Sequence, residues 1–269
     1  MRHGRGVTPT VPELFDRLAD RYDQVVPFFA EFARQTMDRV DVPAGTRLLD
    51  IGSGRGAIAA QAWSRGCLVT AVDAAPRMVQ LLGAEYPRID ARVMDVHRLE
   101  LPAGVYDLVT GGFVIQLVAD RARALAELRR VLRPGGRVAL TTPGPCADEG
   151  RWDRWNELVG HYAKLAERPV PWRSVDVGPD LREAGFADIR SLALEVHLPL
   201  ATPRMGWDFH MSHGFAATVE ALDPRDAAEF RGRALAELAR MQAAGGIVLD
   251  RGALLHLATV PIPAARPAG

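Results

Sequence analysis

The sequence predicts an α/β fold built on a doubly wound, mostly parallel sheet, and three observations predict it. Short apolar runs alternate with helical patterns from Thr46 onward, acidic residues recur where those runs end, and a glycine-rich turn follows the first run. An apolar run followed by a helical pattern is the mark of a strand and its crossover, and repeated crossovers give a parallel sheet covered on both faces.

Ahead of the first strand, residues 12–40 place Leu14, Leu18, Tyr22, Val25, Phe28, Phe29 and Phe32 at helical spacing with a break near Pro27, which predicts two helices. Strands are expected at 47–51, 68–72, 90–94, 107–111 and 137–142, with helices at 55–64, 75–85 and 119–132. Arg133-Pro134-Gly135-Gly136 should end the last of these helices, because proline cannot continue it and glycine tolerates left-handed angles. Further on, an amphipathic helix is expected at 148–166, a helix ending over 181–186, a long strand at 188–198 and a final strand at 254–260. Between those two strands the stretch 203–246 carries Trp207, Phe209, His210, Met211, His213 and Phe215, then an Ala- and Arg-rich helix at 224–244. It should cover the sheet's edge as a lid over about residues 201–250.

A chain of 269 residues with 48% hydrophobic content can bury a sizeable core. Its 33 basic and 33 acidic residues cancel, which argues against nucleic acid as a partner. Cys67 and Cys146 make neither a disulfide framework nor a zinc pattern; no metal is expected, and a reducing compartment fits. The first residues lack an apolar signal core, and no run of about 18 apolar residues occurs, so a cytoplasmic protein without a membrane partner is expected, ending in a fraying Pro/Ala tail.

Chemistry concentrates at three strand ends. Asp50-Ile51-Gly52-Ser53-Gly54-Arg55-Gly56 lies where the first strand turns into a helix, and its glycines let the backbone pass close beneath a ligand. Asp73 closes the second strand, twenty-three residues after Asp50, where a carboxylate can take both hydroxyls of a ribose. Asp95 ends the third, where a carboxylate and the following amide, that of Val96, can read an adenine edge. Each acid alone could equally cap a helix or begin a turn. Gly52, Gly54 and Ala57 also satisfy a dinucleotide pattern, but Asp50 would repel a pyrophosphate and that reading leaves Asp95 unexplained.

Together with Tyr106-Asp107-Leu108-Val109 and Leu132-Arg133-Pro134-Gly135-Gly136, these motifs resemble the class I S-adenosylmethionine-dependent methyltransferases over roughly residues 12–145. The resemblance implies a Rossmann-like sheet of seven strands with the last antiparallel, the stretches 188–198 and 254–260 being the final pair with the lid between them. It implies S-adenosyl-L-methionine as cofactor and S-adenosyl-L-homocysteine as product, with Asp50, Gly52 and Gly54 at the methionine end. Asp73, Ala74, Met78, Asp95, Val96, Phe113 and Gln116 would be further contacts. Phe15-Asp16-Arg17-Leu18-Ala19-Asp20-Arg21-Tyr22-Asp23 looks like the helix that folds over the cofactor in many small-molecule members, with Tyr22 as its aromatic hydroxyl. Where members often carry histidine after the fourth strand, this chain reads Gly112-Phe113-Val114-Ile115-Gln116-Leu117, which leaves the Gln116 contact open. Residues 1–45 would then lie over the cofactor site, 46–145 form its core, and 146–269 complete the sheet and carry the lid.

The expected reaction is methyl transfer to carbon, oxygen or nitrogen of a small, largely apolar specialised metabolite. Two alternatives use the same residues: a cyclase holding the cofactor structurally, and methylation of an isoprenoid alkene with coupled cyclisation. In the second, Tyr22, Trp207 or Phe209 would face a carbocation. Trp152, Trp155, Trp172, Trp207 and Phe209 either wall an apolar acceptor site or only hold the lid down. Tyr22 and His213 are the catalytic candidates, His213 as general base; His210 and His213 sit three apart without a third metal ligand nearby. The expected partner is a small molecule, with homo-oligomer formation left open.

Overall fold

The computed structural model describes residues 10–168 and 172–263; the expectations for residues 1–9 and for the end of the Pro/Ala tail lie outside them. Seven strands form one sheet in the order β3-β2-β1-β4-β5-β7-β6. They are β1 (Arg47–Ile51), β2 (Leu68–Asp73), β3 (Asp90–Val93), β4 (Tyr106–Gly112), β5 (Leu132–Gly144), β6 (Ala187–Leu200) and β7 (Ile247–Thr259). The first five are mutually parallel, and β7 runs antiparallel to both β5 and β6. Because β1 lies between β2 and β4, strand order reverses there and the carboxyl ends of β1 and β4 open a crevice.

The leading helices are α1 (Val11–Leu18) and α2 (Phe28–Arg39). Thr10 and Glu13 close a capping box at the start of α1. The Asp16 carboxylate then accepts the Arg77 amide at 2.6 Å, which lays α1 across the start of α4 (Pro76–Glu85). Helix α3 (Ala57–Ser64) begins two residues later than expected, because Gly54 and Gly56 stay in the left-handed region and prolong the turn.

Two other boundaries differ from expectation. Helix α5 (Arg121–Val131) stops before Arg133-Pro134-Gly135-Gly136, and Leu132 already pairs with Tyr106, so the Pro-Gly-Gly segment is an irregularity inside β5. Strand β7 starts at Ile247 rather than 254, paired throughout with β6 as far as Leu200↔Ile247. Pairing with β5 stops at Gly144↔Gly252, so the β6–β7 pair overhangs the carboxyl edge of the parallel strands.

The segment between β6 and β7 folds as α8 (Pro203–Met211), α9 (Ala216–Glu220) and α10 (Pro224–Ala243). Trp207, Phe209, Phe230 and Leu238 pack with Leu194, Val196, Leu200, Ile247 and Leu249 of the overhang, and with Trp152 and Trp155 at the start of α6 (Asp153–Leu165). The lid therefore sits on the face of the overhang, not on the outer edge of the sheet, because β6 and β7 turn their apolar alternate residues that way. Helix α7 (Gly178–Glu183) packs with α5 on the opposite face. Among the described residues no helix is long and apolar enough to cross a membrane.

Gly252 marks the tightest approach in the overhang, since a Cβ there would fall onto the Pro145 carbonyl oxygen. We expect Gly252→Ala to destabilise the protein by about 3 kcal/mol in urea titration. A loss under about 0.5 kcal/mol, the range of ordinary surface changes, would contradict this packing.

Candidate active site

At the crevice, Gly52, Gly54 and Gly56 adopt φ of 54°, 52° and 90°, angles that only glycine takes without strain. Beneath them Asp50 is buried, and its Oδ1 accepts the Thr110 hydroxyl at 2.8 Å. Burial pushes its carboxyl up to about 7 despite the Thr110 bond, which lowers it. Asp73 braces the turn from the side: Oδ2 accepts the Gly54 amide at 2.8 Å and Oδ1 the Ala75 amide at 2.9 Å. Burial raises this carboxyl as well.

A cavity of about 250 Å³ opens over this turn, lined by Tyr22, Asp23, Phe29, Thr36, Asp50, Gly52, Ser53, Gly54 and Phe113 among others. Tyr22 arrives there from the turn after α1, not from a helix as the sequence suggests, since α1 ends at Leu18. Its ring stacks on Phe29 with centroids 4.8 Å apart. Its Cε1 lies 3.7 Å from where a Cβ on Gly54 would sit. Burial holds the phenol well above its ordinary value, so it stays protonated and can donate.

Sequence reasoning missed Asp23. Its backbone is left-handed (φ 55°), and Oδ1 accepts the Phe29 amide at 3.2 Å, facing the start of α2. Burial raises its carboxyl to about 6. An acid just before Pro27 and the aromatic run was the available signal, readable as a helix cap and no more.

Of the remaining candidates, Met78 is buried against Ala19 and Ala75, beside Phe15 and Tyr22, and Ala74 follows Asp73 half-buried. Phe113 has a left-handed backbone (φ 53°), uncommon for a large side chain, and its ring lies 4.9 Å from Trp172 and 5.1 Å from Phe32. Gln116 donates to the Phe113 carbonyl at 2.8 Å and leaves its buried Oε1 without a partner. Asp95 is exposed and lines a separate depression with Met94 and His97; the His97 amide and ring both reach its Oδ1, at 2.9 and 2.6 Å. The His97 amide lowers its carboxyl. Val96 is half-buried and packs against the core cluster that holds Leu99 and Leu101.

The two lid histidines differ. His210 is fully committed: Nδ1 faces the Gly206 carbonyl at 2.7 Å, Nε2 faces Arg251 Nη2 at 3.3 Å, and Arg251 lies 4.3 Å above Trp152. His213 Nδ1 faces the Phe209 carbonyl at 2.8 Å. A carbonyl only accepts, so Nδ1 carries the proton and the lone pair is on Nε2. Burial lowers this imidazole to about 4, which keeps it neutral, and its ring is 6.2 Å from Phe29 of the cavity wall.

The site fits a polar ligand on one further ground. Ser53 Oγ and Thr36 Oγ1, both in the cavity lining, are buried without a hydrogen-bond partner. Residues 49–140 match the Methyltransferase domain family. Across 266 residues the chain is 34% identical to nocamycin O-methyltransferase of Saccharothrix syringae, an alignment covering 87% of this chain and 92% of that protein. The chain is a class I S-adenosylmethionine-dependent methyltransferase.

This methyltransferase is also 36% identical over 143 residues to aklanonic acid methyltransferase DauC of Streptomyces sp. (strain C5), which spans 49% of this chain and 64% of that one. Among solved structures, the 4+2 cyclase SpnF superposes with a TM-score of 0.56 at 19% identity, covering 97% of the methyltransferase and 100% of SpnF. That likeness is one of fold. The dinucleotide reading of the same glycines gives way, and S-adenosylmethionine is the cofactor.

Proposed function

We propose that this enzyme methylates an oxygen of a small, largely apolar specialised metabolite in the cytoplasm, with His213 taking the acceptor's proton. One observation carries this: the only lone pair of His213 is on Nε2, and its ring stands beside Phe29, which also walls the cavity next to Tyr22. The likeness to nocamycin O-methyltransferase and aklanonic acid methyltransferase supports an oxygen acceptor of this class. The aromatic rings of α2, α6 and α8 support an apolar one.

The cofactor supplies a methyl group on a sulfonium whose leaving group is a neutral thioether, so this chain's work is chiefly alignment and exclusion of water, worth roughly 7 to 11 kcal/mol in favourable cases. In our reading Asp50, Gly52, Gly54 and the Tyr22 hydroxyl hold the methionine end, with Asp23 added to them. Asp73, Ala74 and Met78 hold the ribose, Asp95 and Val96 the adenine, and Phe113 and Gln116 flank the bound molecule. Residues 1–45, 46–145 and 146–269 then divide the labour into cover, cofactor core and acceptor half.

A pH dependence follows. Burial raises the Asp50 and Asp23 carboxyls to about 7 and about 6, and both must be ionised to attract a cationic cofactor. Lowering the pH protonates them, so affinity falls as pH drops, and binding at pH 6.5 releases protons. We expect the Kd for S-adenosylmethionine to rise on the order of a hundredfold between pH 7.5 and 5.5, with buffer-dependent calorimetric heats reporting the protons. A flat Kd would remove both acids from the cofactor's reach.

Incubation with methyl-labelled cofactor and candidate polyketide-type phenols and acids tests the reaction. Label in an oxygen-linked methyl supports the proposal. Turnover without label points to a cyclase, and label on carbon removes the need for His213.

A further inference from the structure

Two cysteines far apart in sequence give no metal pattern, yet the fold brings one of them to a histidine and a carboxylate. Cys146 Sγ, a Glu195 oxygen and a ring nitrogen of His197 lie within 4.8 Å of one another. We propose that these three side chains form a zinc-type divalent metal site, and that the ion clips the segment leading into α6 to the β6–β7 overhang.

The geometry is built by the strands. Glu195 and His197 are two apart on β6, so they share one face, opposite the face on which Leu194, Val196 and the lid pack. Cys146 lies two residues past the end of β5, and the next amide, that of Ala147, donates to Glu195 Oε1 at 3.3 Å. His197 Nδ1 stands 2.6 Å from Oδ1 of Asp250, a carboxylate with only 1% of its surface exposed. A carboxylate accepts, so Nδ1 bears the proton and Nε2 presents its lone pair outward, 3.6 Å from Glu195 Oε2. A buried carboxylate orienting a histidine in this way is the outer-shell arrangement of many metal sites.

Two acceptor atoms facing each other need a cation between them. A proton on Nε2 is the simplest one, but it leaves the thiol unused. Thiolate, imidazole and carboxylate together match zinc better than magnesium or calcium, with a fourth position for water. A tetrahedral zinc needs ligand separations of about 3.5 Å, so the groups must close by about an ångström. Side-chain rotation can do this, because His197 and Glu195 are 48% and 39% exposed. On binding, the Cys146 proton passes to solvent and the thiolate donates its pair to the ion. The site is separate from the cofactor cavity, so its existence does not depend on the reaction proposed above.

The test uses the whole chain stripped with EDTA and then titrated with zinc or cobalt(II). We expect one ion per chain at about micromolar affinity or tighter, a Tm rise of about 2 °C or more, and a near-ultraviolet thiolate-to-cobalt charge-transfer band. Cys146→Ser should abolish the band and Cys67→Ser, in the core, should keep it. Glu195→Gln and His197→Gln should each weaken zinc at least roughly tenfold. Absence of the band in the wild type, or equal zinc affinity in the wild type, Cys146→Ser and Glu195→Gln proteins, overturns the proposal and leaves His197 as a protonated bridge between two carboxylates.

Discussion

Asp73→Ala is expected to raise the Kd for S-adenosylhomocysteine by roughly ten- to hundredfold and to lower the Tm of the empty enzyme. In the native protein its two oxygens accept the amides of Gly54 and Ala75, so one side chain fixes both the glycine turn and the start of α4. Removing it leaves two amides without acceptors, at about 1 to 3 kcal/mol each. It also deletes the carboxylate we assign to the ribose, a charged hydrogen bond worth about 1.5 to 3 kcal/mol. Asp73→Asn keeps one oxygen but turns an NH2 toward one of the two amides, so a donor faces a donor and an intermediate effect should result. Calorimetry with the product cofactor separates the contributions, because the stability loss appears without ligand and the ribose loss only with it. If Asp73→Ala bound within about twofold of the wild type, the ribose assignment would be wrong.

His213→Ala should lower kcat by about 10²- to 10⁴-fold while leaving cofactor affinity within about twofold. The asymmetry comes from position: the ring packs on Phe209 and Phe29, and His213 itself is not in the wall over the glycine turn. His213→Gln preserves polarity and approximate size but has no basic nitrogen, and should be as slow as the alanine variant. The pH profile adds a second reading. Burial lowers the imidazole to about 4, so it is neutral and competent throughout the range above that value, and loses activity only as pH falls through it. Any limb of the rate profile near pH 6 to 7 should therefore follow cofactor affinity through Asp50 and Asp23, and should flatten at saturating cofactor. An undiminished kcat in His213→Ala would assign the proton to solvent or to an acceptor already ionised.

The parallel half of this fold was plainly legible, because strands such as Leu48-Leu49 and Val69-Thr70-Ala71-Val72 are apolar runs buried by helices on both faces. The first half of β7 was not. Asp250 and Arg251 interrupt its apolar pattern, and only tertiary partners explain them: His197 for the acid, Trp152 and His210 for the base. Within the site, glycine spacing and the acids at the ends of β1 and β2 revealed the turn and its brace. Tyr22 was found on the wrong kind of element, because helical spacing continues past the point where α1 ends. Asp23 reads from sequence only as a helix cap, and the orphaned hydroxyls of Ser53 and Thr36 carry no signal of their own, since their place in the cavity depends on α2 returning over the turn. Asp95 shows the converse: its place after β3 was right, but His97 occupies its carboxylate and it opens on a different depression from Asp50.

The residues flanking the helical segment α8–α10, Leu200 and Ile247, are direct partners in the β6–β7 ladder. Whatever chain joins them leaves and re-enters at one spot, and lengthening such a loop costs little, about 0.6 kcal/mol per doubling. Helices could thus be exchanged here between lineages as a single cartridge while the strands beneath keep their register. New acceptor preferences would then evolve without disturbing the machinery that grips the methyl donor.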